Sequence, residues 1–251
     1  MKTRGTTARM RSTVARWSNR MLRPLGARLV PLAKPWDEHF QRWIATATHN
    51  GMDPNDIGDA EWADDPLPHA LERHYLPHIR PESRVLELGP GTGRLTRHLI
   101  RGCREMVLID YSEFACEFLR DYLRQENVSI HRVSTPRLPM VPSASVDFAV
   151  ANGVFEHFDP EETLWWLTEF HRVLKPGGTA ALNFANLMTA AGMEWLKKWS
   201  AEPGSRCIFR FYHPEMMRAL ACAAGFTEAR ITTQESWVAY AELTKAAQAG
   251  V

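Results

Sequence analysis

The sequence is most constrained at residues 85–93, where Val85-Leu86-Glu87-Leu88 runs directly into Gly89-Pro90-Gly91-Thr92-Gly93. An apolar run broken by three glycines at alternate positions predicts a buried strand that ends in a tight turn. Arg94-Leu95-Thr96-Arg97-His98-Leu99-Ile100 follows at once and predicts a helix, stopped by Gly102. Glycine, lacking Cβ, lets the backbone turn sharply and leaves room for a ligand against the main chain. A small ligand is therefore expected at this turn.

The same alternation continues downstream. Met106-Val107-Leu108-Ile109 predicts a second buried strand ending in Asp110, and Ser112 caps a helix whose Phe114, Phe118, Tyr122, Ala115, Leu119 and Leu123 form an apolar stripe. A strand near Val128 to Val133, the proline-punctuated loop Pro136 to Pro142, and a strand Val146 to Ala151 come next. Asp159, Pro160 and Glu162 start a helix that Lys175-Pro176-Gly177-Gly178 ends, ahead of a fifth strand, Thr179 to Phe184. His213-Pro214 opens a last helix ending at Gly225, and Ile231 to Thr233 and Trp237 to Tyr240 read as closing strands. Strands separated by helices predict an α/β fold, a doubly wound and mostly parallel seven-stranded sheet whose ligands bind beyond the carboxyl ends of the strands.

Charge divides the chain into regions. Residues 1–36 hold nine of the 30 Lys and Arg residues and no acid, leaving 21 bases against 29 acids, about −8, for the rest. An acidic body of this kind disfavours nucleic acid as the partner. The expected organisation is a basic tail over residues 1–35, a helical and aromatic extension over 36–80, and the main domain over 81–245. For the tail, a loosely packed segment interrupted by Pro24, Pro31 and Pro35 competes with peripheral contact to an anionic membrane and with a transit peptide. In the extension, Trp36, Phe40, Trp43 and Ile44 fall on one helix face, residues 50–65 read as irregular, and a short helix runs through Leu71, Tyr75 and Ile79. That extension is either a lid over the site or a buttress. No run approaches the ~18 apolar residues of a membrane span. Cys103, Cys116, Cys207 and Cys222 stand far apart with no Cys-x-x-Cys pair, which argues against zinc and disulfides and fits a reducing cytoplasm.

The glycine spacing narrows the ligand. A pyrophosphate-binding turn wants Gly-x-Gly-x-x-Gly. Here the sixth position is Arg94, whose side chain would crowd that approach. Glu87, two residues before the first glycine, suits an ammonium or sulfonium charge better than phosphates.

On these residues the chain resembles the class I S-adenosylmethionine-dependent methyltransferases over about residues 80–240. Val85 to Gly93 looks like the first motif of that family, Asp110 like the acid that binds both ribose hydroxyls, Val146 to His157 like the strand-four motif, and Arg172 to Gly178 like the lead into strand five. The resemblance implies S-adenosyl-L-methionine as cofactor, held by Glu87, Leu88, Gly89, Pro90, Gly91, Gly93, Asp110, Tyr111 and Asn152. Where the family often has Asp after strand three for the adenine, this chain has Ser134 and Thr135, whose hydroxyl or backbone groups are the expected replacement.

The expected reaction is methyl transfer to a small or medium-sized acceptor, at oxygen, with His157 as general base. The competing reading of His157 is a structural histidine before Asp159. Glu156-His157 is also similar to a metal-binding pair of some ubiquinone-pathway O-methyltransferases, but two adjacent ligands alone are a poor metal site and none is expected. Tyr212 and His213, and Trp195 with Trp199, are either acceptor-pocket residues or a helix cap and plain packing. Two alternative functions remain open at this point: a nicotinamide-dependent oxidoreductase, and a non-catalytic cofactor-binding scaffold held at a membrane by its tail.

Overall fold

The structure, a computed structural model, describes residues 34–53, 67–124, 127–200 and 209–247. Residues 1–33 of the expected basic tail, most of the stretch expected to be irregular and Cys207 lie outside the described residues.

Helix α1 (Lys34–Asn50) comes first, then α2 (Leu67–Ala70) continued by a π-helical turn (Leu71–Tyr75) and a 3-10 turn (Leu76–His78). The sheet elements follow as β1 (Arg84–Leu88), α3 (Thr96–Leu99), β2 (Glu105–Asp110), α4 (Glu113–Leu123), β3 (Val128–Arg132) and β4 (Val146–Ala151). After these come α5 (Pro160–Val173), β5 (Leu174–Asn186), α6 (Ala190–Trp199), β6 (Phe211–Tyr212), α7 (Pro214–Ala223), β7 (Glu228–Thr233) and β8 (Val238–Thr244). The strand order is β3-β2-β1-β4-β5-β8-β7, with the two-residue β6 pairing to the side of β5. Neighbours from β3 to β5 are parallel, and β8 is antiparallel to both β5 and β7. This is the expected mostly parallel, doubly wound sheet, with β6 added.

Two boundaries differ from expectation. The Lys175-Pro176-Gly177-Gly178 stretch belongs to β5, because Leu174 already pairs with Val146, and the register shifts before Phe148 meets Thr179. A bulge at that point lets the strand carry a proline that cannot donate to the ladder. After the glycine turn, only Thr96–Leu99 is α-helical, and a 3-10 turn then runs to Gly102.

Side chains alternate across β1, so Val85 packs on one face with Met106, Leu108, Leu99 and Tyr75, while Leu86 packs on the other with Val107, Ile109, Leu182 and Trp166. Polar residues of the downstream motifs lock the strand ends. Asp147 accepts the Arg84 amide at 2.8 Å and the Lys175 ammonium at 2.6 Å. Arg172 pairs with Glu169 and donates to the carbonyls of Leu138 and Val141, at 2.8 and 3.0 Å, fastening the proline loop to α5. Burial of β1, β2 and β4 thus fixes where Leu88, Asp110 and Ala151 end, at one edge of the sheet.

The Tyr111 hydroxyl is part of this frame: it donates to Glu162 Oε1 at 2.8 Å and accepts from Trp166 Nε1 at 3.1 Å, in the core. Tyr111→Phe takes from Trp166 its acceptor and should lower stability by about 1–3 kcal/mol. Urea unfolding followed by circular dichroism checks this, and an unchanged midpoint contradicts it.

Candidate functional site

The glycine turn is held between β1 and β2 by the Gly89 amide, which donates to Ile109 O at 2.8 Å, and is closed by Gly93 N–H to Pro90 O at 2.8 Å. Gly89 has φ +67°, and a Cβ there would lie 2.5 Å from Val154 Cγ2. Gly91 has φ +55°, and its Cβ would lie 3.0 Å from Phe40 Cε1 on α1. Both positions combine a left-handed backbone with a close neighbour, so glycine is required on both counts.

Two carboxylates stand at the strand ends beside this turn. Glu87 is buried and accepts a hydrogen bond from Thr96 Oγ1 at 2.7 Å. Burial pushes its carboxyl up to about 8, against the Thr96 hydrogen bond, with the Asp110 charge adding to the rise. Asp110 accepts the amides of Ser112 at 2.8 Å and Gly91 at 3.2 Å. Burial pushes it up to about 6, against those amides and that of Tyr111, with Asp37 nearby adding a like charge. Among the described residues neither carboxylate is held by a basic side chain. Acids buried in this way fit a ligand that brings its own cation to Glu87 and hydroxyl donors to Asp110.

Helix α1 lies over the turn. Asp37 accepts the Ser112 hydroxyl at 2.6 Å and the Phe114 amide at 3.2 Å, so it adds a second cap to α4, whose first cap is Ser112 Oγ on the Ala115 amide at 3.0 Å. This fastens α1 beside Asp110. Its aromatic stripe then faces a cleft of about 770 Å³, partly open to solvent, whose lining includes Glu87, Pro90, Asn152, His157, Trp36 and Trp237. A second lobe, lined by Leu88, Asp110, Tyr111, Val154 and Phe158, shares Gly89, Trp36, Phe40 and His157 with the first. His157, on a 3-10 turn after β4, therefore stands where the lobes meet, its ring 4.7 Å from that of Trp36 and 5.3 Å from that of Phe209.

The structure thus gathers Glu87, Leu88, Gly89, Pro90, Gly91, Asp110, Tyr111, Asn152 and His157 at one cleft. Tyr111 reaches it while its hydroxyl is engaged in the core, and Asn152 Oδ1 is taken by the Tyr75 hydroxyl at 2.8 Å. Gly93 serves the turn without lining either lobe. Ser134 and Thr135 are exposed and line neither lobe. The cause is local: the Val133 amide is tied to Asp110 O, and Leu138 is drawn into the core by Glu169 and Arg172, which leaves the residues between them at the surface. His213 caps α7 by accepting the Glu215 amide, and Tyr212 is buried on Thr163 and Phe158 O, so both are structural. Among the described residues no three His, Cys, Asp or Glu side chains are placed to hold a metal ion.

The sequence reading did not single out Asp37, Thr96, Val154, Asn183 or Trp237. Thr96 reaches Glu87 from the start of α3, just past the glycine turn, and Asn183, whose Oδ1 accepts the Gly153 amide at 2.7 Å, is brought to the site by strand pairing. Asp37 was findable: it sits within the aromatic stripe of α1, one residue after Trp36.

Residues 85–178 match the family model described as a methyltransferase domain. Over 129 residues, 49% of this chain, the sequence is 26% identical to a nonribosomal peptide synthetase, TES, of Alternaria alternata, and the match spans 2% of that protein. Among solved structures, a methyltransferase from Thermotoga maritima described as a "possible histamine N-methyltransferase" superposes with TM-score 0.55 at 23% identity, covering 68% of this chain and 86% of that one. Magnesium protoporphyrin IX methyltransferase from Synechocystis, solved with bound SAH, superposes with TM-score 0.53 at 18% identity, covering 66% and 75%. Residues 85–178 thus match a methyltransferase domain, and the sheet around them has the fold of S-adenosylmethionine-dependent methyltransferases of known structure.

Proposed function

We propose that the protein methylates an oxygen of a small or medium-sized acceptor, with His157 as the general base. The observation that carries this reading is that His157 lines both lobes of the cleft, one walled by Asp110 and the other by the aromatic residues of α1 and Trp237. S-adenosylmethionine, when bound, supplies a methyl group already activated on a sulfonium, so most of the protein's contribution is positioning. Asp110 offers two acceptor oxygens to a vicinal diol, Glu87 offers a carboxylate to an ammonium, and the amides of the glycine turn favour a carboxylate. His157 removes the proton that an acceptor hydroxyl must lose. Residues 36–80 act as a lid in this reading, since Trp36, Phe40 and Trp43 cover the cleft and keep water from it. Residues 81–245 form the methyltransferase domain, and the reading of residues 1–35 as a peripheral membrane contact rests on their nine-residue basic excess. Cys103, Cys116 and Cys222 are free, which supports a reducing, cytoplasmic setting.

Two outcomes test this. Asp110→Ala should weaken S-adenosylmethionine binding at least about tenfold by calorimetry, the scale of a charge-assisted hydrogen bond. Gly91→Arg should abolish it, since the new side chain meets Phe40, and undiminished binding in both variants refutes the site. His157→Gln should lower kcat by about 10²–10⁴-fold and remove the acid limb of the pH–rate profile, while cofactor affinity stays within about threefold. A purely structural histidine would instead lower the melting temperature and leave the pH profile in place.

A further inference from the structure

The lining of the first lobe includes the indole of Trp237, the residue just before β8. The same indole also lines an outer, solvent-open groove, bounded otherwise by Ala191, Glu194 and Trp195 of α6 and by Gln234, Glu235 and Ser236 of the β7–β8 connection. One side chain, only 3% exposed, therefore borders both the cleft beside His157 and the space behind it. It has little freedom to swing: its ring lies 4.8 Å from Trp195 and 5.9 Å from Phe209, at 32° and 84°, and its carbonyl accepts the Asn186 amide at 2.7 Å.

The walls of the cleft also define what kind of molecule it holds. Trp36, Phe40 and Trp43 line it from α1 and Trp237 from the start of β8, beside the polar Glu87, Asn152 and Asn183, while the His157 ring is flanked by Trp36 and Phe209. Surfaces of this kind favour flat π systems, which gain from offset or edge-on ring contacts beyond simple area burial. A saturated ring of the same volume buries similar area but forgoes those contacts.

We infer that the acceptor is a hydroxyl on a flat aromatic ring system and that Trp237 is its size gate, ending the cleft after one or two fused rings. This deepens the O-methylation proposal and rests on it. A rigid indole backed by Trp195 excludes a longer acceptor, because neither ring can yield without displacing the other. Removing the indole opens the cleft toward the outer groove and gives a longer ring system a place to go.

The test uses the full chain saturated with S-adenosylhomocysteine and three probes: 2-naphthol, its saturated counterpart decahydro-2-naphthol, and the elongated 4-phenylphenol. Binding is read by calorimetry. The wild-type protein should bind 2-naphthol at least about tenfold more tightly than either of the others. Trp237→Ala should tighten 4-phenylphenol at least about tenfold, and Trp237→Leu, which keeps a side chain in the frame, should do so to a smaller degree. Trp195→Ala, which takes away the ring that backs Trp237, should tighten 4-phenylphenol less than Trp237→Ala does. Equal binding of 2-naphthol and 4-phenylphenol by wild type, or an unchanged ratio in both Trp237 variants, overturns the gate. Equal binding of the saturated probe overturns the aromatic acceptor. S-adenosylhomocysteine binding measured alongside separates the levels: if it fails in wild type the methyltransferase reading falls as well, and if it holds only the gate is at stake.

Discussion

The site depends on two carboxylates that folding buries at adjacent strand ends with no basic partner among the described residues. Glu87 closes β1 and Asp110 closes β2, and the parallel pairing of those strands sets them at one edge of the sheet. Burial raises both toward neutrality. Acids in such a setting cost stability whenever they are ionised, so the fold tolerates them best when protonated or when a ligand supplies the missing charge and donors. In the proposed reading that ligand is the methyl donor, whose ammonium and ribose hydroxyls carry the complementary chemistry.

The rest of the described structure serves that edge. The Thr96 hydroxyl and the amides of Gly91 and Ser112 fix where each carboxylate points. Asp37 then fastens α1 to the start of α4, which brings Phe40 against Gly91 and Trp36 against His157. The same helix thus closes the turn and supplies one wall of the cleft. Beyond the cleft, Arg172 and Asp147 anchor loops and strand ends and touch neither lobe. Motif residues are therefore of two kinds, some facing the ligand and some holding the frame that aims them.

Much of this was legible from the residues. The alternation of apolar strands and capped helices gave the sheet, and Glu87, the glycine turn and Asp110 marked the ligand edge, because local chain geometry and burial dictate all three. The α1 stripe of Trp36, Phe40 and Trp43 signalled a packed face, though only the structure showed that it packs over the glycine turn. What failed or was missed depends on distant pairing. Ser134 and Thr135 follow β3 as expected and stand exposed outside both lobes, at the start of a loop that Arg172 clamps at the Leu138 carbonyl. Lys175-Pro176-Gly177-Gly178 looks like a helix stop and is instead the bulged start of β5, because Leu174 already pairs with Val146 of β4. Trp237 read as part of a closing strand, and its place between the cleft and the outer groove arises from its packing against Trp195 and Phe209.

The buried-acid account is tested most directly by counting protons exchanged when S-adenosylmethionine binds, using calorimetry at pH 7 in buffers of different ionisation enthalpy. Glu87, raised to about 8, holds its proton at pH 7 in the free protein. A bound ammonium beside it favours the carboxylate, so its affinity for the proton falls and the proton leaves. Binding should release about one proton per cofactor at pH 7 and tighten as the pH rises toward 8, and Glu87→Gln should abolish both effects. Cofactor binding with no proton release, or the same release from Glu87→Gln, would contradict the account.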